Sequence, residues 1–312
     1  MFPKKVVLAF MISIIFASSL FCVTKVVGTK GVNSTIYDDL VINNTRIIND
    51  TTIVINRSLV VEATGNLTLT NVTLLIGNNG WISVREGGMF TAKNSAFTTK
   101  PDVTTWCFLG LSSNSTVINC TFSNGAGISI ADGSPYIADS TVSGTIWVKH
   151  FSAPIIVGNT ITDGGVDIDS CANDELIVFE NNTIMNSTNG LVLWFSSPTI
   201  INSTLINNEV GIYCHASSST IINCTIASKK YDFYLDMRSH PKVSNTTFDE
   251  NKVFFEDYES TLILPDTVLH KERDLYYYWY YYWHYIITII AITVTLGIVA
   301  FLWKRKKKQM KV

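Results

Sequence analysis

The sequence predicts an all-β fold, a parallel β-solenoid of about nine coils, followed by one C-terminal transmembrane helix. Two observations predict the solenoid: a four-residue phrase that returns at a nearly constant interval, and short β-branched or aromatic runs between its copies. A third observation, an 18-residue apolar run near the C-terminus, predicts the helix.

The repeated phrase has Asn, Asp or Gly first, then any residue, then Ser, Thr or Ala, and then an aliphatic or aromatic residue. Successive copies lie 19 to 25 residues apart. A fixed period of this size is typical of a solenoid rather than of a globular core. The closing hydrophobic residues are Leu74, Phe97, Phe122, Val142, Ile161, Ile184, Leu205, Ile226 and Phe248.

Two further strand-like runs follow most phrases. One comes after a glycine or aspartate, as in residues 190–193 and 211–214, and the other after a Ser/Pro turn, as in residues 198–201. Short β-branched runs bounded by Gly, Pro, Ser or Asn are typical of strands. Three strands and three turns therefore fill one coil, which buries its apolar face by stacking on neighbours about 4.8 Å away.

The N-terminus has the features of an export signal. Lys4 and Lys5 precede an apolar run over residues 6–21, so we assign residues 1–28 to a signal peptide, with an uncleaved anchor as the alternative. Residues 29–65 are strand-like but out of phase with the repeat, and we expect an N-terminal cap or first coil there. The β-solenoid proper is predicted over residues 66–265.

The C-terminus is typical of a membrane anchor. Residues 266–285 form an aromatic juxtamembrane segment, with nine Tyr or Trp among the ten residues 276–285. The uncharged run 286–303 is about 27 Å long as a helix, enough to span the hydrocarbon core. The basic tail, residues 304–312, is expected on the cytoplasmic side, which places the N-terminal domain outside the cell.

The charge distribution argues against nucleic acid as a partner. Removing the eight basic residues of the two ends leaves 15 basic against 25 acidic side chains in the predicted exterior part. Proteins that bind nucleic acid need a basic surface. The partners that we expect are the membrane and a polysaccharide or an envelope protein.

The asparagine-led phrases and the Gly-Ile or Gly-Leu strands resemble the repeats of right-handed parallel β-helix proteins of the pectate-lyase-like superfamily. The repeat type is similar to that of nitrous-oxide-reductase maturation proteins and many archaeal surface proteins. The resemblance covers roughly residues 66–255 and implies a right-handed parallel β-helix. It does not imply one function, because this fold carries lyases, hydrolases, adhesins and scaffolds.

Alternation along the second strand of each coil predicts a stripe of outward side chains. Here Ile146, Val166, Leu191, Ile212, Phe233 and their i+2 neighbours, with Met237, are expected to point inward. Rings that cover sugar faces, beside groups that bind hydroxyls, suit a polysaccharide. The stripe residues assigned to binding are Trp147, Lys149, Asp167, Asp169, Trp194, Tyr213, His215, Tyr234, Asp236 and Arg238.

Two stripe residues are the catalytic candidates. The carboxylates of Asp167 and Asp169, two apart on one strand, are expected about 7 Å apart, which lies within the window of about 6.5–9.5 Å for inverting glycosidases. Asp174 would add an oxygen ligand for calcium, the one cofactor considered. The Gly-His-Gly and Arg-Ile-Lys signatures of pectin-degrading hydrolases are absent, and catalysis is therefore the alternative to binding.

Thirteen Asn-x-Ser/Thr sequons lie before residue 250. Six occupy the repeated phrase, where the resemblance implies a hydrogen-bonded asparagine ladder closed to a glycosyltransferase; they are Asn71, Asn119, Asn181, Asn202, Asn223 and Asn245. The other seven are the glycosylation candidates: Asn33, Asn43, Asn49, Asn56, Asn66, Asn114 and Asn186.

Five cysteines remain after residue 28, so at least one thiol stays free in an exported chain. Disulfides between Cys107 and Cys120 and between Cys214 and Cys224 are open alternatives to buried thiols. No Cys or His spacing indicates a metal site. The function predicted from sequence is a single-pass cell-surface β-helix with a structural or glycan- or protein-binding role; the alternative is a membrane-tethered polysaccharide lyase or glycoside hydrolase.

Overall fold

The computed structural model describes residues 34–171, 174–271, 283, 286–290 and 292–295. These residues form an all-β, right-handed parallel β-solenoid of about 11 turns. The first strands are β1 (Ser34–Ile42), β2 (Thr45–Asn49), β3 (Thr52–Val61), β4 (Asn66–Thr70), β5 (Thr73–Ile76), β6 (Trp81–Val84), β7 (Met89–Lys93), β8 (Ala96–Thr99), β9 (Leu109–Leu111), β10 (Thr116–Ile118), β11 (Thr121–Phe122), β12 (Gly127–Ala131) and β13 (Tyr136–Ala138).

The later strands repeat the same order of faces. They are β14 (Thr141–Lys149), β15 (Ile155–Val157), β16 (Thr160–Asp169), β17 (Val178–Glu180), β18 (Thr183–Met185), β19 (Asn189–Trp194), β20 (Thr199–Ile201), β21 (Thr204–Ile206), β22 (Val210–His215), β23 (Thr220–Ile222), β24 (Thr225–Ala227), β25 (Tyr231–Asp236), β26 (Lys242–Ser244), β27 (Val253–Phe255), β28 (Thr261–Ile263) and β29 (Val268–His270). Single-turn 3-10 helices occupy Asp174–Leu176 and Glu250–Lys252.

The strands make two sheets that wrap one core. The 12-stranded sheet runs β2-β4-β7-β10-β13-β15-β17-β20-β23-β26-β28-β29. The 17-stranded sheet contains two parallel ladders. The first ladder is formed by the strands that follow the turn of the repeated phrase, such as β18, β21 and β24. The second ladder is formed by the strands that follow the next turn, such as β19, β22 and β25. Long strands such as β14 and β16 serve both ladders and join them at a register shift.

The core is a set of stacked columns of apolar side chains. In the second ladder the columns follow the register, for example Ile146, Val166, Leu191, Ile212 and Phe233. Each of these residues is at most 1% exposed. The alternation predicted from the sequence is confirmed for them, since side chains of a strand alternate between its two faces.

The number of coils is higher than predicted from the sequence, about 11 instead of nine. Residues 34–61 build a full coil, because β1 pairs in parallel with β3 and the phrase Asp50-Thr51-Thr52-Ile53 forms the same turn as the later phrases. At the other end, β27 and β28 add to both sheets. Strand β29 then pairs antiparallel with β28 and closes this end of the solenoid.

The first turn of each coil explains the repeated phrase. The first residue of the phrase has a left-handed backbone, with φ near 50° at Asn71, Asn119, Asn202 and Asn223. Asparagine tolerates this conformation better than most residues. We call this column of exposed residues the turn row; it comprises Asp50, Asn71, Asn94, Asn119, Asp139, Gly158, Asn181, Asn202, Asn223 and Asn245.

The resemblance implied a hydrogen-bonded ladder of the asparagines at the first position of the phrase. In the structure, the buried polar ladder is instead formed by residues at the second position. The Asn159 side chain accepts the Ser140 N–H at 3.0 Å, and the Asn182 side chain accepts the Asn159 N–H at 3.0 Å. Ser203 continues the ladder by accepting the Asn182 N–H. These side chains satisfy backbone groups that would otherwise be buried without partners.

Among the residues that the structure describes, no helix is long and apolar enough to cross a membrane. Residues 286–290 and 292–295 are helical. The rest of the predicted span 286–303 lies outside the described residues, as do residues 1–28, residues 272–282 and the basic tail 304–312. These segment assignments stay predictions.

Candidate functional site

The strand register places the stripe residues of the second ladder in two adjacent outward rows. In the first row Trp147 pairs with Asp167, which pairs with Val192, and the row continues through Tyr213 and Tyr234. The second row runs Lys149, Asp169, Trp194, His215 and Asp236 in the same order of coils. Neighbouring members of a row are therefore one strand apart, about 4.8 Å.

One end of the stripe is charged. Asp167, Asp169 and Lys149 are half-buried on the adjacent strands β14 and β16. Burial raises the pKa of Asp167 above its ordinary value; Lys149 opposes this rise and Asp169 adds to it. Asp169 accepts a hydrogen bond from the Ser170 hydroxyl at 2.8 Å. The two carboxylates thus lie in different surroundings on the same strand.

No calcium site forms around these carboxylates in the described part of the chain. Asp174 accepts a hydrogen bond from the Ser197 backbone N–H instead. Within residues 34–171 and 174–271 no three His, Cys, Asp or Glu side chains come together as metal ligands.

The other end of the stripe is an aromatic cluster around an Asp–His pair. His215 Nδ1 lies 2.9 Å from Asp236 Oδ1, and their side chains are only 16% and 11% exposed. The Tyr213 hydroxyl donates to Asp236 Oδ2 at 3.0 Å. The Trp194 ring stacks on the His215 ring, with centroids 4.4 Å apart and an interplanar angle of 17°. One carboxylate thereby contacts both the imidazole and the phenol beside an exposed indole.

The His215–Asp236 contact is an ion pair when the imidazole is protonated. The two atoms are at hydrogen-bond distance but poorly aligned, so neither makes a hydrogen bond. The Nδ1 atom of His215 is buried, whereas its Nε2 atom is accessible to solvent. Since no hydrogen bond to Nε2 is formed by the described residues, the ring presents Nε2 to the surface.

The row of rings continues beyond the predicted stripe. Tyr213 and Tyr234 pack edge to face at 4.9 Å, and Tyr234 lies 4.9 Å from Phe254. The Tyr234 hydroxyl donates to Glu256, and this hydrogen bond is the main cause that raises the pKa of Tyr234 to about 12. Burial, with the hydrogen bond to Asp236, raises the pKa of Tyr213 as well.

Sequence reasoning missed Phe254, Glu256 and Phe195. The first two belong to the segment after residue 249, where the repeated phrase ends, although the run Val253-Phe254-Phe255 is strand-like. The Phe195 ring packs edge to face on His215 at 5.2 Å, from a turn position with φ 47° and 54% exposure. The aromatic pair Trp194-Phe195 was the available signal in the sequence.

One predicted orientation at the end of β25 is wrong. The strand ends at Asp236, and Met237 and Arg238 form a left-handed turn with φ 50° and 62°. Met237 is therefore 57% exposed rather than buried. Arg238 is exposed, as predicted, but it lies in this turn beyond the paired strand, where it pairs with the exposed Glu259. The other nine predicted stripe residues lie in the two rows.

The described sequon asparagines fall into two groups. Asn43, Asn49, Asn114 and Asn186 are exposed, and Asn56 and Asn66 are half-buried; Asn33 lies outside the described residues. Asn56 is engaged at both ends of its amide, by Asp38 at 2.7 Å and by Lys100 at 2.9 Å. The six sequon asparagines of the turn row are all exposed.

All five cysteines that the structure describes are free thiols, so the two considered disulfides do not form. Burial raises the pKa of Cys120 to about 11 and that of Cys171 to about 11. Burial also raises the pKa of the fully buried Cys214. Cys107 is half-buried. The thiols of the core are packing groups rather than nucleophiles.

A concave region, separate from the stripe, lies on the turns of neighbouring coils. Its volume is about 450 Å³, and it is lined by Glu86, Gly87, Gly88, Met89, Ser112, Ser113, Asn114 and Asp132. It is open and without an aromatic side chain, and Asp132 faces His150 at 3.7 Å. The stripe, with its rings and its Asp–His pair, is therefore the stronger candidate for ligand binding.

No curated protein and no solved structure matches this chain. A family model described as the right handed beta helix region matches residues 57–226 and 144–268, which together cover most of the repeats. Two overlapping matches are what tandem coils of one repeat type produce. The structure agrees with this match, because its coils stack through parallel strand pairing in both sheets. The chain therefore belongs to the right-handed β-helix family.

Proposed function

We propose that this β-helix binds glycan through the stripe, as the exterior domain of a single-pass cell-surface protein. The observation that carries the proposal is the cluster of Trp194, Tyr213, Tyr234, His215 and Asp236. Rings supply large, rigid apolar surface at low entropic cost, and the carboxylate and imidazole supply hydrogen bonds beside it. Sugars present the matching combination of CH faces and hydroxyls.

The geometry of the rows suits an extended polymer. Successive stripe residues lie on successive coils, so the row of rings runs along the solenoid for several strand spacings. A linear ligand laid across the strands would contact one coil after another. The charged end with Asp167 and Asp169 would then accept hydrogen bonds from hydroxyls further along the same ligand.

The location at the cell surface is supported by the sequence. The apolar run 6–21 after Lys4 and Lys5 favours export. The apolar run 286–303, flanked by aromatic residues and then by a basic cluster at 304–308, favours a membrane anchor with a cytoplasmic tail. An acidic exterior domain is compatible with neutral glycans rather than polyanions.

Binding can be tested with the full chain in detergent on a panel of neutral, amino-sugar and uronate polysaccharides. Trp194→Ala should weaken binding about 5- to 150-fold, if a sugar face on the indole contributes on the order of the 1–3 kcal/mol of base–aromatic stacking. Trp81→Ala is the matched control, since Trp81 on β6 is 36% exposed, against 38% for Trp194, and lies five strands from it along the same ladder. If the two variants bind glycan equally well, the proposal that the stripe is the binding surface is refuted.

A glycoside hydrolase or polysaccharide lyase is the second candidate, favoured by the raised pKa of Asp167 beside Asp169. A carboxyl group that keeps its proton is suited to act as a general acid. The test is turnover of any glycan that binds, with Asp167→Asn and Asp169→Asn beside the wild type. Cleavage that both substitutions abolish would establish the enzyme; binding without cleavage by the wild type would exclude it for that glycan.

A further inference from the structure

The turn row presents asparagines to solvent on one edge of the solenoid. Six of its members stand in sequons: Asn71, Asn119, Asn181, Asn202, Asn223 and Asn245. All are exposed, and each has φ between 49° and 55°. The left-handed backbone turns the side chain away from the core, while the next residue of the phrase points inward. A substituent on these amides would therefore extend into solvent.

The amides of the row are only lightly engaged. Asn71 donates to Asp50 at 2.9 Å, Asn119 donates to Asn94 at 2.8 Å, and Asn202 donates to Glu180 at 3.2 Å, all at the surface. Asn181 and Asn223 make no side-chain hydrogen bond within the described residues. Exposed hydrogen bonds of this kind exchange readily with water and contribute little to stability.

The hydroxyl residue of each sequon is also accessible. The threonine two residues later begins the next strand and points outward, as Thr121 and Thr225 do, and both are exposed. The residue between them is the buried ladder position, for example Cys120 or Cys224. The asparagine and the threonine of one sequon thus lie on the outer surface of the same turn.

Three of the six other described sequons are less favourable, whereas Asn43, Asn49 and Asn186 are exposed. Asn56 is held by Asp38 and Lys100, and Asn66 is half-buried within β4, which has neighbours on both sides. The Asn114 side chain accepts the Ser134 N–H at 3.2 Å. A glycan on Asn56 or Asn66 would have to break these contacts. The order of the glycosylation candidates from the sequence is therefore reversed for these residues.

We propose that the turn row is the principal N-glycan-bearing edge of the protein, with the proviso that it rests on the exported location proposed above. The amide nitrogen of the asparagine would attack the anomeric carbon of a sugar on a lipid-linked diphosphate donor. The bond from that carbon to the phosphate oxygen breaks, the lipid diphosphate leaves with the electron pair, and the amide nitrogen loses one proton. The donor and the transferase belong to the export compartment.

Crowding limits how many members of the row carry a glycan. Asn181, Asn202, Asn223 and Asn245 lie on four consecutive coils, about 4.8 Å apart, the distance between hydrogen-bonded backbones. A glycan is much bulkier than this spacing, so two neighbouring asparagines of one molecule cannot both be modified. Asn71 and Asn119 have no sequon of the turn row on either adjacent coil, although Asn49 lies beside Asp50 on the coil next to Asn71.

The test is translation of the full chain in the presence of microsomes, followed by protease protection and by site-resolved mass spectrometry after enzymatic deglycosylation. Thr225→Ala removes the sequon of Asn223, and Thr225→Ser keeps it; both replace one exposed side chain on β24. We expect Thr225→Ala to lose all glycan at Asn223 and to gain occupancy at Asn202 or Asn245, and Thr225→Ser to keep the wild-type pattern. Asn56→Gln should leave the total glycan mass unchanged.

The outcomes separate this proposal from the one on which it rests. Chains that are not translocated overturn the exported location and this proposal together. Translocated chains that carry glycan on Asn56 or Asn66 and none on the turn row overturn the proposal that the turn row bears the glycans, and they leave the exported location standing. Two modified neighbours in one molecule overturn the crowding argument and support the assignment of this edge.

Discussion

Replacement of Asn182 by alanine tests whether the buried polar ladder holds the coils together. Asn182 is 1% exposed, at the second position of its phrase. Its side-chain oxygen accepts the Asn159 N–H at 3.0 Å, and its amide nitrogen donates to the Ile156 carbonyl at 2.8 Å. Alanine removes both of these hydrogen bonds. It also removes the one that the Asn159 side-chain amide donates to Asn182 at 3.1 Å, but that amide keeps the Ile137 and Val157 carbonyls as acceptors.

The expected loss follows from these two contacts. The Asn159 N–H is left buried without its acceptor, which costs about 1–3 kcal/mol. The lost bond to the Ile156 carbonyl adds roughly 1 kcal/mol, so the free energy of unfolding should fall by about 2–4 kcal/mol. Asn182→Ser should cost roughly 1 kcal/mol, because serine at the equivalent Ser203 accepts the backbone N–H of the preceding coil.

The measurement is urea unfolding of the full chain, followed by far-UV circular dichroism. Asn181→Gly is the matched control, one residue away but exposed with φ 55°, a conformation that glycine adopts without strain. It should change stability by less than about 0.5 kcal/mol. An Asn182→Ala variant as stable as the Asn181→Gly variant would refute the idea that the ladder stabilises the stack.

Three further predictions concern the core, the stripe and the thiols. Leu193→Ala should lower the free energy of unfolding by about 2–5 kcal/mol, because Leu193 is fully buried between two coils; a loss below about 1 kcal/mol in urea unfolding would contradict this packing. The pKa of Asp167 is raised in the folded chain, so its stabilising contribution is full below the ordinary carboxylate pKa and is lost as pH rises through the folded value. Asp167→Asn should therefore raise the melting temperature at neutral pH relative to wild type but not at about pH 3, and the reverse pattern in calorimetry would contradict the direction of the shift. Cys107 should react with iodoacetamide in the native protein while Cys214, fully buried with a raised pKa, should not; equal labelling of both by mass spectrometry would count against the packing of the core.

The parts of the fold that depend on period and alternation could be predicted from the sequence. The strand register follows from the spacing of the phrases, which places Trp194 beside His215 and Tyr213 beside Tyr234 on successive coils. This works because each coil repeats the same three-sided path, so one correct coil fixes its neighbours.

The remaining features depend on local geometry that the repeat does not encode. Met237 is exposed because two successive left-handed residues end β25, and nothing in the alternation marks that end. The contact of Asp236 with both His215 and Tyr213 depends on side-chain rotamers on two adjacent coils. The segment predicted as a cap or first coil out of phase with the repeat keeps its period, because Asp50 leads a phrase 21 residues before Asn71.

The two outward rows of the stripe gain one residue each per coil. The separation between any two side chains in a row is therefore a whole number of strand spacings, each about 4.8 Å. Insertion or deletion of one complete coil would lengthen or shorten the surface by one such step without moving a side chain from the outer face to the inner one. The reach of this surface is set by the number of coils, and it changes in discrete steps rather than through the lengths of loops.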